Sequence, residues 1–364
     1  MRILILNWKH VGDRGAGGAE HYVTRVAAAW SLQGHSVTLL VPRASGDTGD
    51  DAAGSAGVRV VAVGTRSTVF RRARQYLLEN GNEFDWVLES VSTRPFFAHE
   101  VVGDRALVLY HQIADDVWEQ EYPFPVSWIG RRVVEPHWLR RISGARVVAN
   151  SKSTAEDLFL RGVTSVGIVP PGADAVSQMT PRSLSRSPRV IFIGRLVRTK
   201  RPAEAIEAFA RIRTAFPAAT LDVVGDGYLL DRLRRLRAPG VTVHGFVPAA
   251  IKSAFLARSD ILLLPATREG WGIVAIEAAL HGVPTVGYDV PGLRDAVVDG
   301  RTGILTRPNP QALGDAAAAL MKDQPTWIAY SRACRQRATG YTWQRAADDL
   351  LALFPDQVAG QSAA

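Results

Sequence analysis

Cysteine is almost missing from this sequence: of 364 residues, only Cys334 carries a thiol. An intrachain disulfide is therefore excluded, as is a zinc site built on a cysteine cluster, and the usage fits a reducing compartment. Long apolar runs are missing as well. No stretch reaches the ~18 uninterrupted apolar residues that a membrane span needs. The opening run Ile3–Leu6 turns polar at Asn7, which is too early for a signal peptide. Neither half carries the full dinucleotide fingerprint, glycines in G-x-G-x-x-G spacing with an acidic residue ~20 positions on, so a nicotinamide-dependent oxidoreductase is disfavoured. No helix-turn-helix, zinc or single-strand aromatic platform accompanies the basic residues, which are spread out, so nucleic acid is not an expected partner.

What is present points to two α/β domains. The length exceeds the ~250–300 residues at which single cores stop growing, and 47% hydrophobic with 21% charged residues is an ordinary globular balance. An excess of basic over acidic residues, net +8, favours anionic partners without choosing among them. Continuous apolar runs at Ile3–Leu6, 35–41, 86–88, 106–110 and 145–149 read as buried parallel strands alternating with helices. The first helix is expected over about Glu20–Leu32, ending at Gly34, and Asn150-Ser151 reads as a helix cap. Residues 172–189, rich in Ser, Pro and Arg, read as a linker, after which the pattern restarts with strands at 190–193, 221–224, 241–243, 260–264 and 285–287. The expected division is 1–175 and 176–344, with a terminal helix at about 345–358 packing back on the first domain. The expected class is α/β, two doubly wound parallel-sheet domains of Rossmann type.

The most informative segment is Arg268-Glu269-Gly270-Trp271-Gly272-Ile273-Val274-Ala275-Ile276-Glu277, which follows a buried strand and opens a helix. Glycines at a helix start let backbone N–H groups approach an anion, and the helix dipole assists. Glu269 in the loop and Glu277 in the helix place a carboxylate on either side of that anion site. Such an order suits a ligand built as polyol, diphosphate, polyol. A lone glutamate on a helix is usually a solvated residue; two with this glycine pattern after a strand are not.

The segment resembles the E-x7-E signature of retaining glycosyltransferases, in particular glycosyltransferase family 4 with the GT-B fold. Other marks stand in order: Gly194-Arg195-Leu196 with Lys200, Val224-Gly225-Asp226-Gly227, Val243-His244-Gly245-Phe246-Val247, Gly282-Val283-Pro284 and Pro291-Gly292. The likeness covers nearly the whole chain and is strongest over 190–305. It implies two such domains across a cleft and transfer of a hexose-type sugar from a UDP or GDP type donor. The implied acceptor is a glycan, lipid-linked or small molecule. Arg195 and Lys200 would contact the diphosphate, and Glu269 and Glu277 the sugars. The remaining donor contacts implied are Gly194, Gly225, Gly227, Phe246, Val247, Gly270, Trp271, Gly272 and Ile273. In the first half, His111 would touch the donor sugar, and Gly17 and Gly18 would turn amides toward phosphates or sugar. Asp13 is a candidate acceptor contact. With no Asp-x-Asp in the chain, neutralisation of the leaving group by cations, without metal or cofactor, is the simpler expectation. A sugar-nucleotide epimerase and a non-catalytic sugar-binding relative are the alternatives.

Two basic, aromatic segments, 70–78 and 128–141, pair arginines with Phe, Tyr, Trp and Leu. Either is an amphipathic helix with its apolar side in the core, or a peripheral contact with an anionic membrane. The expected location is cytoplasmic, peripheral to the inner membrane face in the second case.

Overall fold

The computed structural model describes residues 1–9, 17–43, 57–176 and 182–354. The chain divides into two compact units, Met1–Ile113, Pro136–Gly172 and Trp343–Ala364 in the first, Ala114–Glu135 and Ala173–Thr342 in the second.

The first unit is built on a seven-stranded parallel sheet: β1 (Arg2–Leu6), β2 (Ser36–Val41), β3 (Arg59–Ala62), β4 (Trp86–Val91), β5 (Ala106–Tyr110), β6 (Arg146–Ala149) and β7 (Ser165–Ile168), in the order β3-β2-β1-β4-β5-β6-β7. The second carries six parallel strands, β8 (Arg189–Ile193), β9 (Thr220–Val224), β10 (Val241–Gly245), β11 (Ile261–Leu264), β12 (Thr285–Tyr288) and β13 (Gly303–Thr306), in the order β10-β9-β8-β11-β12-β13. In both sheets the order reverses beside the first strand, and in such folds ligands sit at the carboxyl ends of the strands at that switch. Ile3–Leu6 and Ile261–Leu264 are fully or almost fully buried, as central strands covered on both faces must be. Each such Leu or Ile contributes about 1.5–3 kcal/mol by burial.

Ten strands lie where the apolar runs predict them, within one to three residues. Three, β3, β7 and β13, do not announce themselves. All three are four residues long and stand at sheet edges, where at most one residue of each is buried. An edge strand is covered on fewer sides and needs no continuous apolar run. The first helix, Gly18–Leu32, stops before Gly34, which has a φ of 87°. Ser151 caps the helix Lys152–Phe159 by accepting from the Thr154 N–H at 3.0 Å.

The boundary between units falls at Gly172 and Ala173. Downstream, the linker is fastened to the second unit. Arg182 donates to the carbonyls of Ser259 and His281, while Ser185 and the Arg189 N–H bond the buried carboxylate of Asp260. The helix Trp343–Leu351 belongs to the first unit. There the Trp30 indole donates to the Ala347 carbonyl at 2.9 Å, and the Trp343 ring meets His21 edge-on.

Candidate active site

In the second unit the sequence segment around Glu269 and Glu277 becomes a loop and a helix start at the carboxyl end of β11. Gly272, at φ 89°, is the left-handed cap of the helix Ile273–Leu280, and Glu277 lies in its second turn. The Trp271 indole is 3% exposed and packs edge-on against Tyr341, so what Trp271 offers a ligand is its backbone. Glu269 is held from the neighbouring loop: its N–H donates to the Pro291 carbonyl at 3.1 Å. Gly292 fits beneath it because a Cβ there would lie 2.1 Å from the Glu269 carbonyl oxygen.

Arg195 and Lys200 come from the segment after β8. Lys200 ends a short 3-10 turn, Arg198–Lys200, tied to the glutamate loop by the Thr267 N–H, which donates to the Thr199 carbonyl at 2.9 Å. Lys200 Nζ stands 2.7 Å from Glu269 Oε1. Arg195 is exposed and makes no ion pair among the described residues. The stretch Ala114–Glu135 also fastens the Lys200 turn. The Glu121 carboxylate accepts from the Thr199 N–H at 3.0 Å and from the Tyr228 hydroxyl at 2.6 Å, and Gln120 accepts from Thr267 Oγ1.

Gly225 and Gly227 follow β9. Close approach is required there, but by the chain itself: a Cβ on Gly225 would lie 1.9 Å from the Gly194 carbonyl oxygen, and one on Gly227 would lie 2.4 Å from that of Leu196. These glycines let the β9 loop lie against the Gly194–Leu196 turn and thereby set where Arg195 leaves the sheet. After β10, the Phe246 ring is 77% exposed and Val247 is half-buried.

The second glutamate has a partner that no local motif reveals. Lys252, on the helix Ala249–Arg258, places Nζ 2.6 Å from Glu277 Oε1. The other oxygen, Oε2, is buried and has no hydrogen-bond partner among the described residues. A buried acceptor left bare costs about 1–3 kcal/mol, a cost that a donating hydroxyl would relieve.

In the first unit, His111 follows β5 and is 5% exposed. Its Nε2 lies 3.0 Å from Ser90 Oγ, and Tyr22 covers it edge-on at 5.5 Å. Burial pushes the imidazole pKa down to about 3, so at neutral pH the ring is an uncharged hydrogen-bonding group. Gly17 is the cap of the first helix, and its N–H already donates to Glu20 Oε2 at 2.6 Å. The amide expected to reach a ligand is therefore spent on Glu20, whereas Gly18 opens the helix itself. Asp13 lies outside the described residues.

Two family models divide the chain between them. One described as glycosyl transferases group 1 matches residues 180–340, and one described as glycosyltransferase family 4 matches residues 16–176. The chain belongs to the family 4 glycosyltransferases. Relatives agree over almost the full length. A glycogen synthase of Mycobacterium tuberculosis is 27% identical, covering 95% of this chain and 92% of that one. A GDP-mannose-dependent alpha-(1-6)-phosphatidylinositol monomannoside mannosyltransferase of the same organism is 28% identical over 96% of each. Among solved structures, Anabaena HepE in complex with UDP-glucose matches with a TM-score of 0.75 at 18% identity, covering 97% of this chain and 100% of that one. The paired parallel sheets are those of the GT-B fold.

For this glycosyltransferase, the second unit gathers Lys200, Glu269, Gly270, Gly272 and Glu277 around one helix start, with Arg195 on the adjoining turn. The two basic segments part company. The helix Val69–Asn80 buries Val69, Ala73 and Leu77 and turns its arginines to solvent, an ordinary amphipathic helix. In the second, Trp128 and Val133 are more than half exposed, and Tyr122 and Phe124 just before it are also exposed. Arg131 there is taken up by Asp115, Asp116 and Glu119. Among the described residues, no helix is long and apolar enough to cross a membrane.

Proposed function

We propose that this glycosyltransferase moves a hexose from a UDP or GDP type nucleotide sugar to a hydroxyl of a glycan, lipid-linked or small-molecule acceptor, with retention at the anomeric carbon and without metal. The observation that carries the donor reading is the double pairing of Lys200 with Glu269 and Lys252 with Glu277 on either side of a glycine-flanked helix start. Cations and backbone amides suit a diphosphate, and carboxylates suit the sugars at its ends. Glu277 Oε2 is assigned to a ribose hydroxyl, Glu269 to the transferred sugar, and Arg195 and Lys200 to the diphosphate. The exposed Phe246 ring is assigned to the base, and His111 as a neutral hydrogen-bonding group to the donor sugar. In the reaction the bond between the anomeric carbon and the β-phosphate oxygen breaks. The acceptor oxygen bonds the carbon from the same face, and its proton passes to a phosphate oxygen. A relative named for GDP-mannose dependence supports the donor class.

Calorimetry against UDP-glucose, UDP-galactose and GDP-mannose, followed by slow donor hydrolysis with the best binder, tests this. One of them is expected to bind and to be hydrolysed to a sugar of unchanged anomeric configuration. Binding of none would remove the donor reading, and an inverted product would remove retention.

Peripheral contact with an anionic membrane is proposed for the exposed stretch Tyr122–Val133, where Phe124, Trp128 and Val133 would enter the interface beside Arg132. Co-sedimentation with vesicles containing phosphatidylglycerol is expected at low salt and should drop sharply in Phe124→Ser/Trp128→Ser. No sedimentation of the wild type at low salt would end the proposal.

A further inference from the structure

Lys200 and Glu269 are bonded to each other, with side chains only 18% and 16% exposed. On the donor reading above, which this inference deepens and on which it rests, the two groups serve different parts of one ligand: the ammonium serves the diphosphate and the carboxylate serves the sugar. We propose that this pair makes Glu269 the residue by which the protein tells an intact nucleotide sugar from the spent nucleoside diphosphate.

A nucleoside diphosphate competes with Glu269 for the Lys200 ammonium and offers the carboxylate nothing in return. It leaves a largely buried negative charge weakened in its partner and facing further negative charge, both unfavourable where screening is poor. An intact donor brings hydroxyls to the same carboxylate. Their O–H groups replace the N–H that Lys200 withdraws, so the pair loosens with no carboxylate oxygen left bare. The pair therefore weakens product binding selectively and speeds product release.

Its counterpart behaves differently. Glu277 keeps Oε2 without a hydrogen-bond partner among the described residues while Oε1 stays on Lys252, so it accepts a hydroxyl with its ion pair intact. The nucleoside end, common to donor and product, is thus recognised without a toll, and the discrimination falls on Lys200 and Glu269. Arg195, exposed and without an ion partner among the described residues, serves both ligands equally.

The test is calorimetric titration of nucleoside diphosphate, and separately of its nucleotide sugar, into wild type, Glu269→Gln, Lys200→Met and the double variant. In Glu269→Gln the nucleoside diphosphate is expected to bind about tenfold more tightly, about 1.4 kcal/mol, and the nucleotide sugar no more tightly. In the Lys200→Met background the same substitution should gain less, since no ion pair is left to break and only the repulsion between carboxylate and diphosphate is relieved. Unchanged or weaker diphosphate binding by Glu269→Gln would overturn the proposal, since Glu269 would then merely hold Lys200 in place. An equal gain for both ligands would overturn it too, as a plain charge effect. Glu269→Ser replaces Glu269→Gln if the latter does not fold. Failure of the wild type to bind any nucleotide overturns the donor reading itself, whereas wild-type binding with an unmoved Glu269→Gln overturns this inference alone.

Discussion

Replacing Lys200 with methionine is expected to slow sugar transfer by about 100- to 1,000-fold while weakening donor binding only several-fold. The asymmetry follows from where charge develops. On the proposed donor reading the diphosphate charge of the bound donor is spread and also faces Arg195 and the helix start. As the bond to the sugar breaks, a further negative charge collects on the β-phosphate, and a fixed cation in a poorly hydrated place stabilises that change more than it stabilises the ground state. Lys200 is fixed in this sense. Its turn is pinned through the Thr199 carbonyl to Thr267 and through the Thr199 N–H to Glu121, with Tyr228 bridging Glu121 and the Arg198 N–H. Methionine keeps most of the unbranched stem and removes the ammonium together with its bond to Glu269. Single-turnover transfer rates and calorimetric donor affinities, measured side by side, check the split. Wild-type turnover in the variant would take the assigned role away from Lys200, and an equal loss in both quantities would make it a binding residue only.

How much of this was legible in the sequence depends on how local each signal is. Strands such as 106–110 and 261–264 are legible because burial on both faces demands a continuous apolar run. The helix start at Gly272 is legible because glycine, strand and helix follow one another in the chain. Lys252 is not. It lies 25 residues before Glu277 on another helix, and only the packing of β11 and its two flanking helices brings the ammonium to the carboxylate. The grouping of Ala114–Glu135 with the second unit is hidden for the same reason, since its bonds go to residues 78 to 147 positions away. Gly225 and Gly227 are legible as places of close approach, but not that the backbone of Gly194 and Leu196 makes that approach. Gly17 is similar: its place at a helix start is legible, but its amide is taken by Glu20, which the same sequence supplies three residues on.

Truncating Glu277 to alanine is expected to weaken nucleotide binding by about 10- to 100-fold, with the loss concentrated in the ribose contact. Two effects add. A charge-assisted hydrogen bond to a hydroxyl, worth about 1.5–3 kcal/mol, disappears. Lys252 also loses its carboxylate and, being 28% exposed, swings toward water and away from the place it held. Glu277→Gln should lose less, because one amide oxygen can still accept. Comparing nucleotides with their 2′- and 3′-deoxy analogues isolates the contact. In the wild type, removal of the recognised hydroxyl should cost most of the affinity that Glu277→Ala costs, and in Glu277→Ala the deoxy and parent nucleotides should bind alike. Calorimetry of the four combinations gives the coupling directly. If the deoxy analogues lose as much affinity in the variant as in the wild type, the ribose is held elsewhere. The unpartnered Oε2 would then have to be satisfied by some other part of the ligand, and the order of sugar, diphosphate and nucleoside along the helix start would be reversed.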